Sequence, residues 1–463
     1  MPRVRRVRGE ALLALALLNI FVLAAGMVAL DVIEARPVPA EPTPVTDAEG
    51  VAAAEPATSA PADPDRIADI LDDPMSASGL EDGLSGYVVD AATGETLFEL
   101  APDTPVTPAS TTKIVTAITV LAAVGPDHVV HTEAYLDPDR NRVVLRGAGD
   151  TTLSETADSA AYPQVATLSE LAESTASALA ELGVGSVSVG YDDSHFTGPA
   201  TGPGWKPNYV TEGSTSPIHA LMLNGGEIDE DGSGVIEEDE GDRAVDPPLY
   251  AAEAFARQLE RAGVSVEGEP TETAATGDAV ASVASAPVSA LVEHTLLRSD
   301  NNMAEALGRI AAEEMGEETS FAGAAAATAR VMADLGVGGV DLSDNSGLST
   351  ENRISPRALV ELVRIAADPD HADLNAALTG LPTANSTGTL GRNGRYSPSA
   401  SSHDGAGLVR GKTGTLNGVS TLAGTISDRD GHTFVFAFMA NTPAANGPAL
   451  DTLAAALSRC GCT

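Results

Sequence analysis

The sequence predicts an α+β fold: an antiparallel sheet flanked by helices and split by an inserted α/β domain. Three observations lead there. A β-hairpin pattern lies near residue 90. Further strand patterns and a closing helix lie at the C-terminal end. Between them a long stretch carries strand and helix patterns of its own.

Taken in order, the elements are these. Arg3, Arg5, Arg6 and Arg8 precede an apolar run over residues 11–30, broken only by Asn19 and Gly26. Residues 1–10 thus read as a cytoplasmic basic segment, and 11–30 as a signal peptide or membrane anchor. The length of the run favours an anchor. The rest of the chain is expected outside the cytoplasm, in the cell envelope, touching membrane only through residues 11–30. Residues 31–64 are rich in Pro, Ala, Glu and Thr, the composition of a disordered linker.

Residues 86–90 and 96–100, joined by a Thr93-Gly94 turn, read as a hairpin. Thr107 and Pro108 read as the N-cap and first position of a helix reaching about Val124. The stretch 131–284 holds strand patterns at 142–145 and 186–189 and helical runs near 167–182 and 248–262. It reads as a domain inserted into one formed by 65–130 and 285–463. Residues 288–298 and 302–315 read as helices, with Ser299-Asp300-Asn301 at their junction. Residues 407–426 read as a strand, 428–431 as a turn, 433–438 as a second strand and 449–457 as the terminal helix.

With 463 residues, two domains are the natural expectation. Hydrophobic residues make up 43% but aromatics only 3%, so the cores must be built mainly from Ala, Val, Leu and Ile. Asp and Glu total 66 against 26 Lys and Arg, a formal charge of −40 that argues against nucleic acid as a partner. The two cysteines, Cys460 and Cys462, could close a small disulfide or stay free, and they are too few ligands for a metal.

Lysine is rare here. Only Lys113, Lys206 and Lys412 occur, and two of them fall in motifs. Lys113 follows Ser110 in an S-x-x-K. Lys412 opens Lys412-Thr413-Gly414-Thr415, a K-T-G. Ser299-Asp300-Asn301, an S-D-N, lies between them. Arginine cannot lose its proton at useful pH, whereas a desolvated lysine can act as a base. Ser110 is a poor nucleophile until a base takes its proton, and Lys113 at i+3 on one helix can reach it. Burial and a second cation, Lys412, would lower the Lys113 pKa. Ser299 is placed to relay a proton and Asn301 to hold a substrate amide. Lys412 and Thr413 suit a terminal carboxylate. Backbone N–H groups at Ser110 and Thr415 suit an oxyanion. Lys206, beside Trp205, has no assigned role.

The reaction needs no metal or organic cofactor. A separate question is raised by residues 229–240, where Asp229, Asp231, Ser233 and Glu240 occupy EF-hand positions for Ca2+. Gly225-Gly226 and Pro247-Pro248 flank this segment in place of helices, which favours a solvated acidic loop.

With these motifs in this order the chain resembles the D-alanyl-D-alanine carboxypeptidase/endopeptidases of the peptidase S13 family, the class C low-molecular-mass penicillin-binding proteins. The resemblance runs from about residue 80 to the end. It also rests on Gly147-Ala148-Gly149-Asp150, residues 192–199, Pro203-Gly204-Trp205, residues 221–224 and residues 344–349. It implies a transpeptidase-like domain split by a large insertion. By resemblance Ser110 is the acylated nucleophile and Lys113 its base. Ser299 and Asn301 form the second wall, and Lys412, Thr413, Gly414 and Thr415 bind substrate. The implied substrate is the peptidoglycan stem peptide, with β-lactam antibiotics as inhibitors. Two alternatives stand beside this reading: a serine β-lactamase, and a β-lactam or peptidoglycan sensor without turnover. No E-x-x-L-N element for water activation follows the second motif, which weighs against the β-lactamase.

Overall fold

The N- and C-terminal strand patterns join in one five-stranded antiparallel sheet. In this computed structural model, which describes residues 62–80, 83–228, 242–391 and 394–460, its strands run in the order β11 (Val409–Leu416), β12 (Val419–Ser427), β13 (Thr433–Asn441), β1 (Leu84–Asp90) and β2 (Thr96–Leu100). Strands β1 (Leu84–Asp90) and β2 (Thr96–Leu100) form the expected hairpin, and β1 pairs antiparallel with β13 (Thr433–Asn441). The segment expected to be a single strand over 407–426 is two. β11 (Val409–Leu416) turns at Asn417-Gly418 into β12 (Val419–Ser427). Gly418 supplies the positive φ, 75°, that the turn requires. The continuous run of Thr, Gly, Ser and aliphatic residues on both sides hides this turn from a reading of hydrophobicity alone.

Both faces of the sheet are buried, and the alternation in β13 shows how. Phe434, Phe436 and Phe438 pack on one side with α1 (Pro64–Met75) and the C-terminal helix (Gly447–Ser458). Val435, Ala437 and Met439 pack on the other side with α2 (Thr112–Val124) and the helices that follow the insertion. Helix α1 was not anticipated. Its signals were present: Asp63 caps Asp65 N–H at 3.0 Å, Pro64 sits in the first turn, and Ile67 and Leu71 are fully buried.

Helix α2 starts later than expected. Thr107 is not its cap, and Pro108 precedes a short 3-10 turn, Ala109–Thr111, before α2 begins at Thr112. Ala109 has φ of +48° and is fully buried, a left-handed conformation that breaks the helix its composition favours.

From α2 the chain enters a second, mixed sheet. Its strands are β3 (His131–Asp137), β4 (Arg142–Arg146), β5 (Ser186–Asp192), β6 (Ser265–Val266), β7 (Thr271–Glu272) and β8 (Ala279–Ala284). Helices α3 (Leu168–Glu181) and α4 (Pro247–Arg261) pack on it around Leu145, Val187, Leu171 and Phe255. The departing strand β3 pairs antiparallel with the returning strand β8, so the chain leaves and re-enters side by side. There follow α5 (Val288–Arg298), α6 (Asn301–Glu314), α7 (Phe321–Asp334), a small ladder of β9 (Val340–Asp341) with β10 (Arg353–Ile354), α8 (Pro356–Ala367) and, last, α9 (Gly447–Ser458).

The candidate calcium residues Asp229, Asp231, Ser233 and Glu240 lie outside the described residues, as does the apolar run 11–30. Among the described residues no helix is long and apolar enough to cross a membrane. Cys460 is buried and disulfide-bonded.

Candidate active site

Ser110 sits half-buried in the 3-10 turn that leads into α2. Two glycines let other segments press against this turn. A methyl group on Gly414 of β11 would lie 2.7 Å from Pro108 O and 2.9 Å from Ser110 N. One on Gly347 would lie 2.0 Å from Ala109 O, and Gly347 also has φ of +86°. The serine is therefore held between an edge strand and the loop 344–349. The side chains of Thr111 and Thr421 both donate to Pro108 O at 2.7 Å and fix the base of the turn.

One helical turn on, Lys113 is fully buried. Its Nζ lies 3.1 Å from Ser110 Oγ, 2.6 Å from Asn301 Oδ1 and 2.6 Å from the Ser346 carbonyl. A neutral amine has two hydrogens and one lone pair. Asn301 and Ser346 accept the two hydrogens, which leaves the lone pair facing the Ser110 hydroxyl. Burial pushes the Lys113 pKa down to about 8, against the opposing pull of Asp344, Asp300 and Glu305. The sequence reading assigned part of this lowering to Lys412; in the folded chain burial is the main cause.

The facing wall is the α5–α6 junction. Ser299 ends α5 with φ of +61°, in the left-handed region. Asp300 caps α6 by accepting from Met303 N–H at 3.0 Å, and its carboxylate pairs with His294. Burial alone would raise the Asp300 pKa, but the hydrogen bond and charge of His294 bring it to about 2. Asn301 opens α6, with its amide Nδ2 donating to Ser214 O at 2.7 Å. Ser214 belongs to the segment between the first two motifs, to which the sequence reading gave no catalytic role.

Lys412 on β11 is also fully buried. It donates to Ser299 Oγ at 2.9 Å and to Thr413 O at 2.8 Å. Burial, then the charges of Lys113 and Arg395, push its pKa well below the ordinary lysine range. Arg395 is held by Asp451 of α9 through two hydrogen bonds of 2.7 and 2.8 Å. The Thr413 hydroxyl bonds that of Thr389 at 2.9 Å. Because β11 is an edge strand, alternate N–H groups point away from β12. Gly411 N–H does so, donating to Pro382 O at 2.9 Å. By the two-residue repeat, the N–H of exposed Thr415 faces the same open edge.

The eight residues singled out from the sequence (Ser110, Lys113, Ser299, Asn301, Lys412, Thr413, Gly414 and Thr415) thus come together in one place. Ser299 bonds Lys412, and Lys113 bonds Asn301. Sequence reasoning missed Ser214, Thr389, Arg395 and the part played by the Ser346 carbonyl. Ser214, Thr389 and Arg395 fall in no quoted motif, whereas Ser346 lies in the 344–349 stretch on which the resemblance rests. Lys206 stands half-buried with its ammonium 5.8 Å from the Tyr209 ring centroid.

The sequence matches the D-Ala-D-Ala carboxypeptidase 3 (S13) family over residues 65–241 and 235–459. The chain belongs to that family. A carboxypeptidase of Mycobacterium tuberculosis is 35% identical over 389 residues, covering 82% of this chain and 81% of its own. Carboxypeptidase DacB of Mycolicibacterium smegmatis is 34% identical over 385 residues, with coverage of 82% and 81%. A D-alanyl-D-alanine carboxypeptidase of Actinomadura is 28% identical over 438 residues, 78% of each chain. Among solved structures, penicillin binding protein 4 of Haemophilus influenzae aligns with a TM-score of 0.66 at 21% identity. That alignment covers 84% of this chain and 98% of the other. The S13 chain therefore shares the fold of that protein, an antiparallel sheet flanked by helices and interrupted by an insertion.

Proposed function

We propose that this S13 carboxypeptidase removes the terminal D-alanine from peptidoglycan stem peptides through an ester on Ser110, and that penicillin blocks it by acylating the same oxygen. One observation carries the assignment of Ser110: the buried Lys113 Nζ lies 3.1 Å from Ser110 Oγ, with Asn301 Oδ1 and the Ser346 carbonyl each at 2.6 Å to accept its other hydrogens, so that the neutral amine would turn its lone pair to the serine. Neutral Lys113 takes the Ser110 proton as Oγ attacks the carbonyl carbon of the penultimate residue. The oxyanion forms against the N–H groups of Ser110 and Thr415. The C–N bond then breaks, and the proton passes to the departing D-alanine nitrogen, directly from Lys113 or through the Lys412–Ser299 pair. Water attacks the ester in the second half, with Lys113 as base again, and Ser110 is restored. Lys412 and Thr413 receive the terminal carboxylate, whose charge favours a protonated Lys412. Asn301 keeps a second amide hydrogen for a substrate carbonyl.

Endopeptidase cleavage of cross-linked peptides is an extension of this chemistry, differing in the leaving amine. The basic N-terminal cluster and apolar run support an export signal or anchor, and the disulfide-bonded Cys460 supports an oxidising compartment outside the cytoplasm.

The test is mass spectrometry after incubation with benzylpenicillin, beside a Ser110→Ala variant, followed by D-alanine release from a pentapeptide. The reading expects a stable adduct on the peptide bearing Ser110, absent from the variant, together with D-alanine release. No adduct with intact drug sinks the Ser110 assignment. Hydrolysed drug without adduct makes the protein a β-lactamase, and an adduct without D-alanine release makes it a sensor.

A further inference from the structure

We infer that Thr116 and Glu305 form a clamp on the Asn345–Ser346 peptide unit that aims the Ser346 carbonyl at Lys113, so that both are positioning residues for acylation. This rests on the reading of Lys113 as the base for Ser110.

The Ser346 carbonyl is one of the two acceptors that orient the Lys113 amine, 2.6 Å from Nζ. A loop carbonyl can do this only if its own peptide units cannot rotate. The preceding unit is held from both sides. Asn345 O accepts from Thr116 Oγ1 at 2.6 Å. Ser346 N–H donates to Glu305 Oε1 at 2.8 Å, and Asn345 N–H donates to the same oxygen at 3.0 Å. The grip is on the backbone, because the buried side-chain amide of Asn345 has no hydrogen-bond partner among the described residues.

The clamp comes from the two helices that carry the reacting groups. Thr116 lies three residues after Lys113 on α2, and Glu305 lies four residues after Asn301 on α6. The base, its side-chain acceptor and the holders of its carbonyl acceptor thus sit on two helices that pack against each other. Glu305 is itself fixed. It is fully buried, and its Oε2 lies 3.4 Å from Arg309 Nη1. The Arg309 guanidinium lies over Phe321 (4.1 Å to the centroid) and beside Phe196 of the inserted segment (5.4 Å). A buried ion pair is a weak source of stability, since desolvation offsets most of its attraction. At this place it holds two N–H groups that an apolar side chain could not.

The experiment uses the full chain with Thr116→Val, Glu305→Gln and Glu305→Ala. The readouts are the acylation rate with a fluorescent penicillin against pH, kcat and KM on a D-Ala-D-Ala peptide, and melting temperature. Glu305→Gln keeps an oxygen acceptor, whereas Glu305→Ala and Thr116→Val each remove one side of the clamp. A misplaced base costs on the order of 10- to 100-fold, so Thr116→Val and Glu305→Ala should lose about that much in acylation rate and kcat. Their KM should stay within about 3-fold, and the midpoint of their pH profile should move. Glu305→Gln should retain most of the rate. Thr116→Val, close in shape to the original, decides the matter if Glu305→Ala does not fold. A folded Thr116→Val protein with the original rate and pH midpoint overturns the clamp, as does Glu305→Gln as damaged as Glu305→Ala. Lys113→Arg separates the two readings: an arginine enzyme that acylates normally overturns the base itself, whereas an inert one leaves that reading standing whatever the clamp variants do.

Discussion

Lys113 carries the chemistry at the scale of single residues. Its ordinary pKa would leave it protonated and useless as a base near neutrality. Burial brings it to about 8, so a modest neutral fraction exists at pH 7 and most of the side chain is neutral above 8. The sign follows: protonation removes the lone pair, so acylation slows as pH falls. Acylation by a fluorescent penicillin, followed from about pH 6 to about pH 10, should rise with pH and level off past a midpoint near 8. A flat profile, or one centred near the carboxylate range, would remove Lys113 from the role. Lys412 is depressed as well, and its neighbours Lys113 and Arg395 contribute to this. The negative charge of a carboxylate arriving at Lys412 works against these causes and favours its protonated form.

At the scale of elements, the decisive contact is β11 against the 3-10 turn of Ser110. It depends on the absence of a side chain at Gly414. Gly414→Ala would place a methyl 2.2 Å from Thr421 Oγ1 as well as against Pro108 O and Ser110 N. The expected result is a loss of about 1–3 kcal/mol in thermal unfolding and a fall in acylation rate, because β11 must withdraw from the serine. Gly185→Ala is the matched control. It meets nothing within 4 Å, and should change stability by less than about 0.5 kcal/mol with acylation unaffected. The S-x-x-K, S-D-N and K-T-G spacings made this meeting of elements legible in advance. The start of α2 was not legible, because Ala109 takes a left-handed conformation at the turn against which Gly347 and Gly414 pack. No local propensity announces it.

For the molecule as a whole, the sheet needs covers on both faces, and the two covers differ in what they do. The α2 side carries the reacting groups. The α1 and α9 side supplies stability, with Ile67 and Leu71 fully buried among the phenylalanines of β13. The contribution of α1 is read by comparing a chain beginning at Ala62 with one that lacks α1. One beginning at Ser76 lacks both side chains, each worth roughly 1.5–3 kcal/mol of burial, and should melt many degrees lower. Its acylation rate, measured well below that melting point, should fall much less. Equal melting temperatures for the two would mean that α1 is not part of the folded unit.

The sequence by itself determined the kind of fold, the inserted segment between the first two motifs, and the eight candidate residues that the fold brings together. It could do so because acyl transfer through a serine demands particular side chains in a particular order, and strands and helices declare themselves by periodicity. Only the tertiary structure decided which acceptors orient Lys113, that Ser299 bonds Lys412, and that Ser214, Thr389, Arg395 and the Ser346 carbonyl support the site. Those contacts join segments far apart in the chain, and two of them, at Ser214 and Ser346, use backbone carbonyls that every residue possesses. They leave no signature until the chain has folded.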